Sequence, residues 1–133
     1  MNKIVMACLS MLLALPAATT RPASAQETTQ SPAIGIMAGI AVRLDHYPDA
    51  EGMRQLKALE HDTASPDIRT LARALMRMRH TVQPEDAQAL RRLMADDRAS
   101  PQARELAGIL LEMQHHATPA EKQRLRALIG NSR

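Results

Sequence analysis

The chain is expected to be all-α, built from three two-helix repeats, as a short right-handed α-solenoid or a compact helical array of about six helices. Ser-Pro pairs recur at Ser31-Pro32, Ser65-Pro66 and Ser100-Pro101, at intervals of 34 and 35 residues. Behind each pair runs an apolar stripe of helical period. After Ser65-Pro66 it is Ile68, Leu71, Ala72, Leu75 and Met76, at i, i+3, i+4, i+7 and i+8. The 133 residues include one Tyr and neither Trp nor Phe. Any core is therefore made of Leu, Ile, Met, Val and Ala, which suits helices better than sheets.

Residues 1–25 read as a secretory signal peptide. Lys3 supplies a positive start, Ile4 to Leu15 is a twelve-residue apolar run, and Ala23-Ser24-Ala25 is a small-residue cleavage site. The run is shorter than the about 20 residues a spanning helix needs. The mature chain then begins at Gln26, has no membrane span and is periplasmic or secreted. Cys8, the one cysteine, leaves with the signal, which excludes a disulfide, a thiolate nucleophile or a cysteine metal site. Cleavage also removes Lys3 and Arg21, so 17 Lys+Arg become 15 against 14 Asp+Glu. A near-neutral chain without stacking aromatics has no footprint for nucleic acid. Residues 26–30 (Gln-Glu-Thr-Thr-Gln) are polar and aperiodic, and a disordered leader is expected there.

The domain proper is residues 31–133, divided as 31–64, 65–99 and 100–133. The first helix is expected from about Pro32 to His46. Its stripe of Ile34, Met37, Ala38, Ala41 and Val42 stands 34 residues before that of the second unit. Gly35 and Gly39 form a small-xxx-small pair for close packing against a neighbouring helix. Pro48 stops the element, because proline disfavours helical geometry in the residue before it. A second kind of helix follows from about Asp49 to His61, marked by Met53, Leu56 and Leu59. Its counterparts start near Pro84 and Pro119. Leu56, Leu90 and Leu125 align, as do Leu59, Leu93 and Leu128, with Lys57, Arg91 and Arg126 at the solvent position.

Each Ser-Pro pair is a helix start. The serine hydroxyl can accept from an orphan backbone N–H, and proline at the first helical position loses no bond. Thr118 is a good N-cap for the last helix. Asp67, Glu85, Asp86 and Glu121 place negative charge on the positive ends of their helices. The loops are short, so consecutive helices should be antiparallel neighbours.

The run Leu90-xx-Leu93, Asp96, Ser100-Pro101, Arg104, Ala107 and Leu110-Leu111 resembles the core of a HEAT repeat. Leu56, Leu59, Asp62, Ser65-Pro66, Arg69, Ala72 and Leu75-Met76 repeat it. The resemblance covers about residues 50–116. It implies that Asp62 and Asp96 pair with Arg69 and Arg104 to hold successive turns together, with Gly35 breaking that ladder in the first unit. It also implies a protein-binding role, since HEAT-like proteins mostly bind other proteins.

Three sets of residues are candidates for chemistry. His46, His80 and His115 occupy equivalent positions. They are expected in the last turns of their helices, as donors to the negative helix ends rather than as ligands of one ion. Met76, Met78 and His80, with Met113, His115 and His116, form two Met/His clusters. Thioether and imidazole are copper or zinc ligands, although a Met at helical spacing is ordinarily core. Arg69, Arg73 and Arg77 step by four along one helix and make a basic ridge for an acidic partner or anionic lipid heads, unless it is simply a solvated face.

No cofactor or catalysis is expected. Ser31, Ser65 and Ser100 are assigned to caps, and the sequence holds no Gly-rich phosphate loop, His-Glu-x-x-His or nucleophile elbow. The expected function is an exported protein-interaction module, not an enzyme, with its partner another periplasmic or secreted protein. The alternative is a periplasmic metal-binding protein that uses the Met/His clusters.

Overall fold

The computed structural model describes residues 31–132. The signal peptide and the leader lie outside the described residues. Six helices run in chain order: α1 (Pro32–Arg43), α2 (Ala50–Asp62), α3 (Pro66–Arg77), α4 (Pro84–Ala95), α5 (Pro101–Glu112) and α6 (Pro119–Gly130). No helix among them is long and apolar enough to cross a membrane.

The helix starts follow local chemistry. The Ser65 and Ser100 hydroxyls accept from the backbone N–H of Ile68 and Ala103. Asp49 caps α2 by accepting from the Gly52 N–H at 2.6 Å. Thr118 and Glu121 cap α6 reciprocally, with Glu121 accepting from the Thr118 N–H at 2.6 Å. Ser31 makes no such side-chain bond at α1.

The three Ser-Pro helices form an inner layer. Helices α1, α3 and α5 each pack on the other two, and their stripes supply most of the core. Leu71, Leu75, Leu106 and Leu110 are fully buried, as are Met37, Ala38 and Ile109. The Leu-xx-Leu helices α2, α4 and α6 lie outside and bury a narrower seam, chiefly Leu56, Leu90, Leu93, Leu125 and Leu128. Lys57, Arg91 and Arg126 face solvent as expected.

Each outer helix packs most extensively on one inner helix: α2 on α3, α4 on α5, and α6 on α1. The first two pairs are hairpins across short loops. The third joins the two ends of the described chain. A helical array of three repeats therefore closes into a ring with approximate three-fold character. Of the two expected forms, it is the compact one.

Several local expectations need correction. The first helix ends at Arg43 rather than near His46, because Leu44 leaves helical geometry (ψ 125°). The Asp–Arg ladder is not formed as the resemblance implied. Asp96 is the C-cap of α4 and turns back to accept from the Arg98 N–H at 2.9 Å. Arg104 instead reaches Asp97 at 3.6 Å. No ion pair joins Asp62 to Arg69 among the described residues. Other contacts tie the layers together: Arg124 of α6 donates to Glu105 at 2.7 Å and Glu112 at 2.6 Å, both on α5.

Candidate functional site

The ring has an apex where the three inner helices end. After Arg43, Arg77 and Glu112 the chain repeats one manoeuvre three times. Leu44, Met78 and Met113 leave helical geometry as C-caps and turn their side chains into the core. Two residues later His46, His80 and His115 adopt left-handed backbone, with φ of 66°, 60° and 61°. Each histidine is the middle of a tight reverse turn. Tyr47 N–H donates to Asp45 O at 2.8 Å, Thr81 N–H to Arg79 O at 2.6 Å, and His116 N–H to Gln114 O at 2.6 Å. Such i→i+2 turns at positive φ are rare and strained. The chain then drops back through Pro48, Val82 and Ala117 to the outer helices.

These turns meet. His46 N–H donates to the backbone carbonyl of His115 at 3.0 Å, and His115 N–H donates to that of His80. The imidazoles gather around the same point. Their ring centres are 5.0 Å apart for His46 and His80, 4.8 Å for His80 and His115, and 5.7 Å for His46 and His115. The edge-to-face arrangement suits rings with a negative face and a positive rim. All three are exposed at the apex. Since the C-terminal ends of α1, α3 and α5 converge here, the three Ser-Pro helices run in the same sense.

The histidines are therefore not helix-capping residues in a last turn. They stand three residues beyond the helices, and closure of the ring brings them together. One more group orients the first of these rings. Asp45 Oδ1 lies 2.7 Å from His46 Nδ1. An ionised carboxylate only accepts, so it favours the tautomer with hydrogen on Nδ1 and leaves Nε2 with a lone pair. No three His, Cys, Asp or Glu side chains among the described residues already stand with their donor atoms gathered for a metal.

The Met/His clusters are divided by the fold. Met78 and Met113 are 1% exposed and belong to the core, while Met76 packs against its edge. His80 and His115 join the apex, and His116 is exposed beside it. The arginine ridge is exposed along α3, but two of its members bind neighbouring helices. Arg73 donates to Glu60 of α2 at 3.0 Å. Arg77 donates to Asp86 of α4 at 3.3 Å and lies 3.7 Å from Glu85. Arg69 has no ion pair among the described residues.

The sequence reading placed His46, His80 and His115 in register but missed their convergence. The signal that could have found them is local: the same histidine stands four residues before the first residue of the next helix in all three units, within the short connection between two helices. Comparison of the chain with protein-family models, curated proteins and solved structures returns no match.

Proposed function

We propose that the protein is an exported, non-catalytic interaction module that engages another periplasmic or secreted protein through the apex where its three repeats meet. The observation that carries this reading is Tyr47. It is the one residue among Phe, Tyr and Trp in the chain, and it is 69% exposed in the first apex turn. Aromatic side chains are enriched among interface anchors because they bury a large area at little entropic cost. In the other two apex turns, Arg79, Thr81, Gln114 and His116 are exposed hydrogen-bonding groups, as in the polar rim of an interface. The HEAT-like resemblance supports the same class of function by analogy. The ridge of Arg69, Arg73 and Arg77 is a second surface for an acidic partner, reduced by the pairing of Arg73 and Arg77.

The test is capture from a periplasmic extract by the immobilised mature chain. Tyr47→Ala should abolish capture without changing the melting temperature. The combined change of Arg69, Arg73 and Arg77 to Gln should weaken it less. Capture lost with the ridge and kept without Tyr47 would move the interface to α3. A second reading, metal-ion binding, rests on the gathering of three imidazoles at the same apex.

A further inference from the structure

Three imidazoles from three separate repeats stand around one point, and the spacing of their rings has chemical meaning. A metal–imidazole bond of about 2.0–2.1 Å, plus about 1.2 Å from nitrogen to ring centre, puts each centre about 3.2 Å from a shared ion. Tetrahedral ligand angles then separate the ring centres by about 5.3 Å. The observed separations of 5.0, 4.8 and 5.7 Å bracket that value. We infer that His46, His80 and His115 form a three-histidine site for a borderline transition-metal ion such as Zn2+, one ligand from each repeat, with the outward fourth position open to solvent.

Three further observations support the site. All three histidines hold positive φ, a strained backbone for a non-glycine residue that collects at functional positions. Glycine would hold the same turn more cheaply, yet histidine stands in every unit. Asp45 on His46 Nδ1 is the carboxylate that commonly orients a ligating imidazole. Finally, the rings are exposed, so rotation of their side chains can turn one nitrogen of each toward the axis. The ligand set also indicates the ion. With Met78 and Met113 buried, the apex offers imidazole without thioether, which suits Zn2+, Cu2+ or Ni2+ better than Cu+. The site does not depend on a protein partner.

Histidine is itself enriched at positive φ, so the turns alone account for one part of the pattern. Asparagine separates the two explanations, because it tolerates left-handed backbone but removes the imidazole. The experiment titrates the mature chain with Zn2+ by calorimetry and with Co2+ by visible absorption. The expected result is one ion per chain, the intense bands of four-coordinate Co2+, and a melting temperature that rises with free Zn2+. His46→Asn, His80→Asn and His115→Asn should each weaken binding by roughly ten-fold or more while the metal-free protein melts as before. His61→Asn and His116→Asn should bind as the wild type does.

Binding no tighter in the wild type than in the triple His→Asn variant would overturn the site. So would one ion shared by two chains, or loss of binding that follows Met76 or His116 instead of the three apex histidines. If an Asn variant fails to fold, the wild-type imidazole nitrogen resonances decide. Zn2+ must shift those of His46, His80 and His115 and leave His61 unmoved, and any other pattern overturns the site. Repeating the capture of a periplasmic partner in the presence of a chelator keeps a failed metal site distinct from a failed interaction surface.

Discussion

Gly35 of α1 faces Ser132 across the seam where the two ends of the domain meet. A Cβ on Gly35 would stand 2.7 Å from the Cβ of Ser132 and 2.9 Å from its hydroxyl. Ser132 is held there, because its hydroxyl donates to the Leu128 carbonyl at 2.7 Å. The missing side chain lets α6 approach α1 and close the ring.

Gly35→Ala and Gly39→Ala should therefore have opposite signs, although the residues are one turn apart in one helix. Alanine gains about 1 kcal/mol over glycine in a helix interior. At Gly39 the new Cβ meets only the Arg43 guanidinium at 3.7 Å, so that variant should be more stable by about 0.5–1 kcal/mol. At Gly35 the overlap costs on the order of 1–3 kcal/mol, enough to outweigh the gain. Denaturant unfolding of both variants checks the pair, and equal stabilisation of both would remove close approach from the seam.

The inner-layer leucines should be the most sensitive positions to truncation. Leu75 and Leu106 are fully buried where α1, α3 and α5 pack together. Leu75→Ala and Leu106→Ala should each cost about 2–5 kcal/mol through lost burial and the cavity left behind. Thermal melts of the two variants would show it. Leu59, only partly buried on α2, should cost less.

Arg77 has a specific structural debt at Asp86. The Asp86 carboxylate is buried at the start of α4, its Oδ1 accepts from Arg77, and its Oδ2 has no hydrogen-bond partner. Its helix N-terminus favours the negative charge. Arg77→Gln should destabilise by about 1–3 kcal/mol by leaving that carboxylate without its cation. Adding Asp86→Gly, the residue type that Gly52 provides at the equivalent place on α2, should make the loss from Arg77→Gln smaller. A double-mutant cycle measures the coupling, and additive effects would show that the pair does not interact.

Ring closure predicts how the chain can be cut. Removing residues 100–133 strips α5 from α1 and α3 and α6 from α1, so the 26–99 fragment should lose its cooperative melt. By contrast, a permutant that links residue 132 to residue 31 and opens between Asp97 and Arg98, both exposed, keeps every helix pair. It should fold, because the joined ends are already neighbours. Circular dichroism melts distinguish the two. A stable 26–99 fragment would contradict the closed core.

Much of the architecture was legible one residue at a time. Helix starts depend on a few neighbouring atoms, so Ser65-Pro66, Ser100-Pro101 and the Thr118 cap could be read directly. The stripe through Leu71, Leu75, Leu106 and Leu110 follows from the 3.6-residue period, and those residues are the core. The basic residues of the ridge were readable as a row, but not their partners: Glu60 and Asp86 lie on other helices, where sequence spacing carries no distance.

The sequence by itself determined six helices, a period of 34–35 residues and a set of histidines in register. Only the tertiary structure decided that the repeats close on themselves. A repeat fixes the contacts between successive units, but small rotations at each interface add up, and their sum separates an open stack from a ring. Here the seat of α6 against Gly35 completes the circle. That closure brings His46, His80 and His115 to one point: residues 34 and 35 positions apart along the chain become neighbours because the turns that carry them surround a common axis.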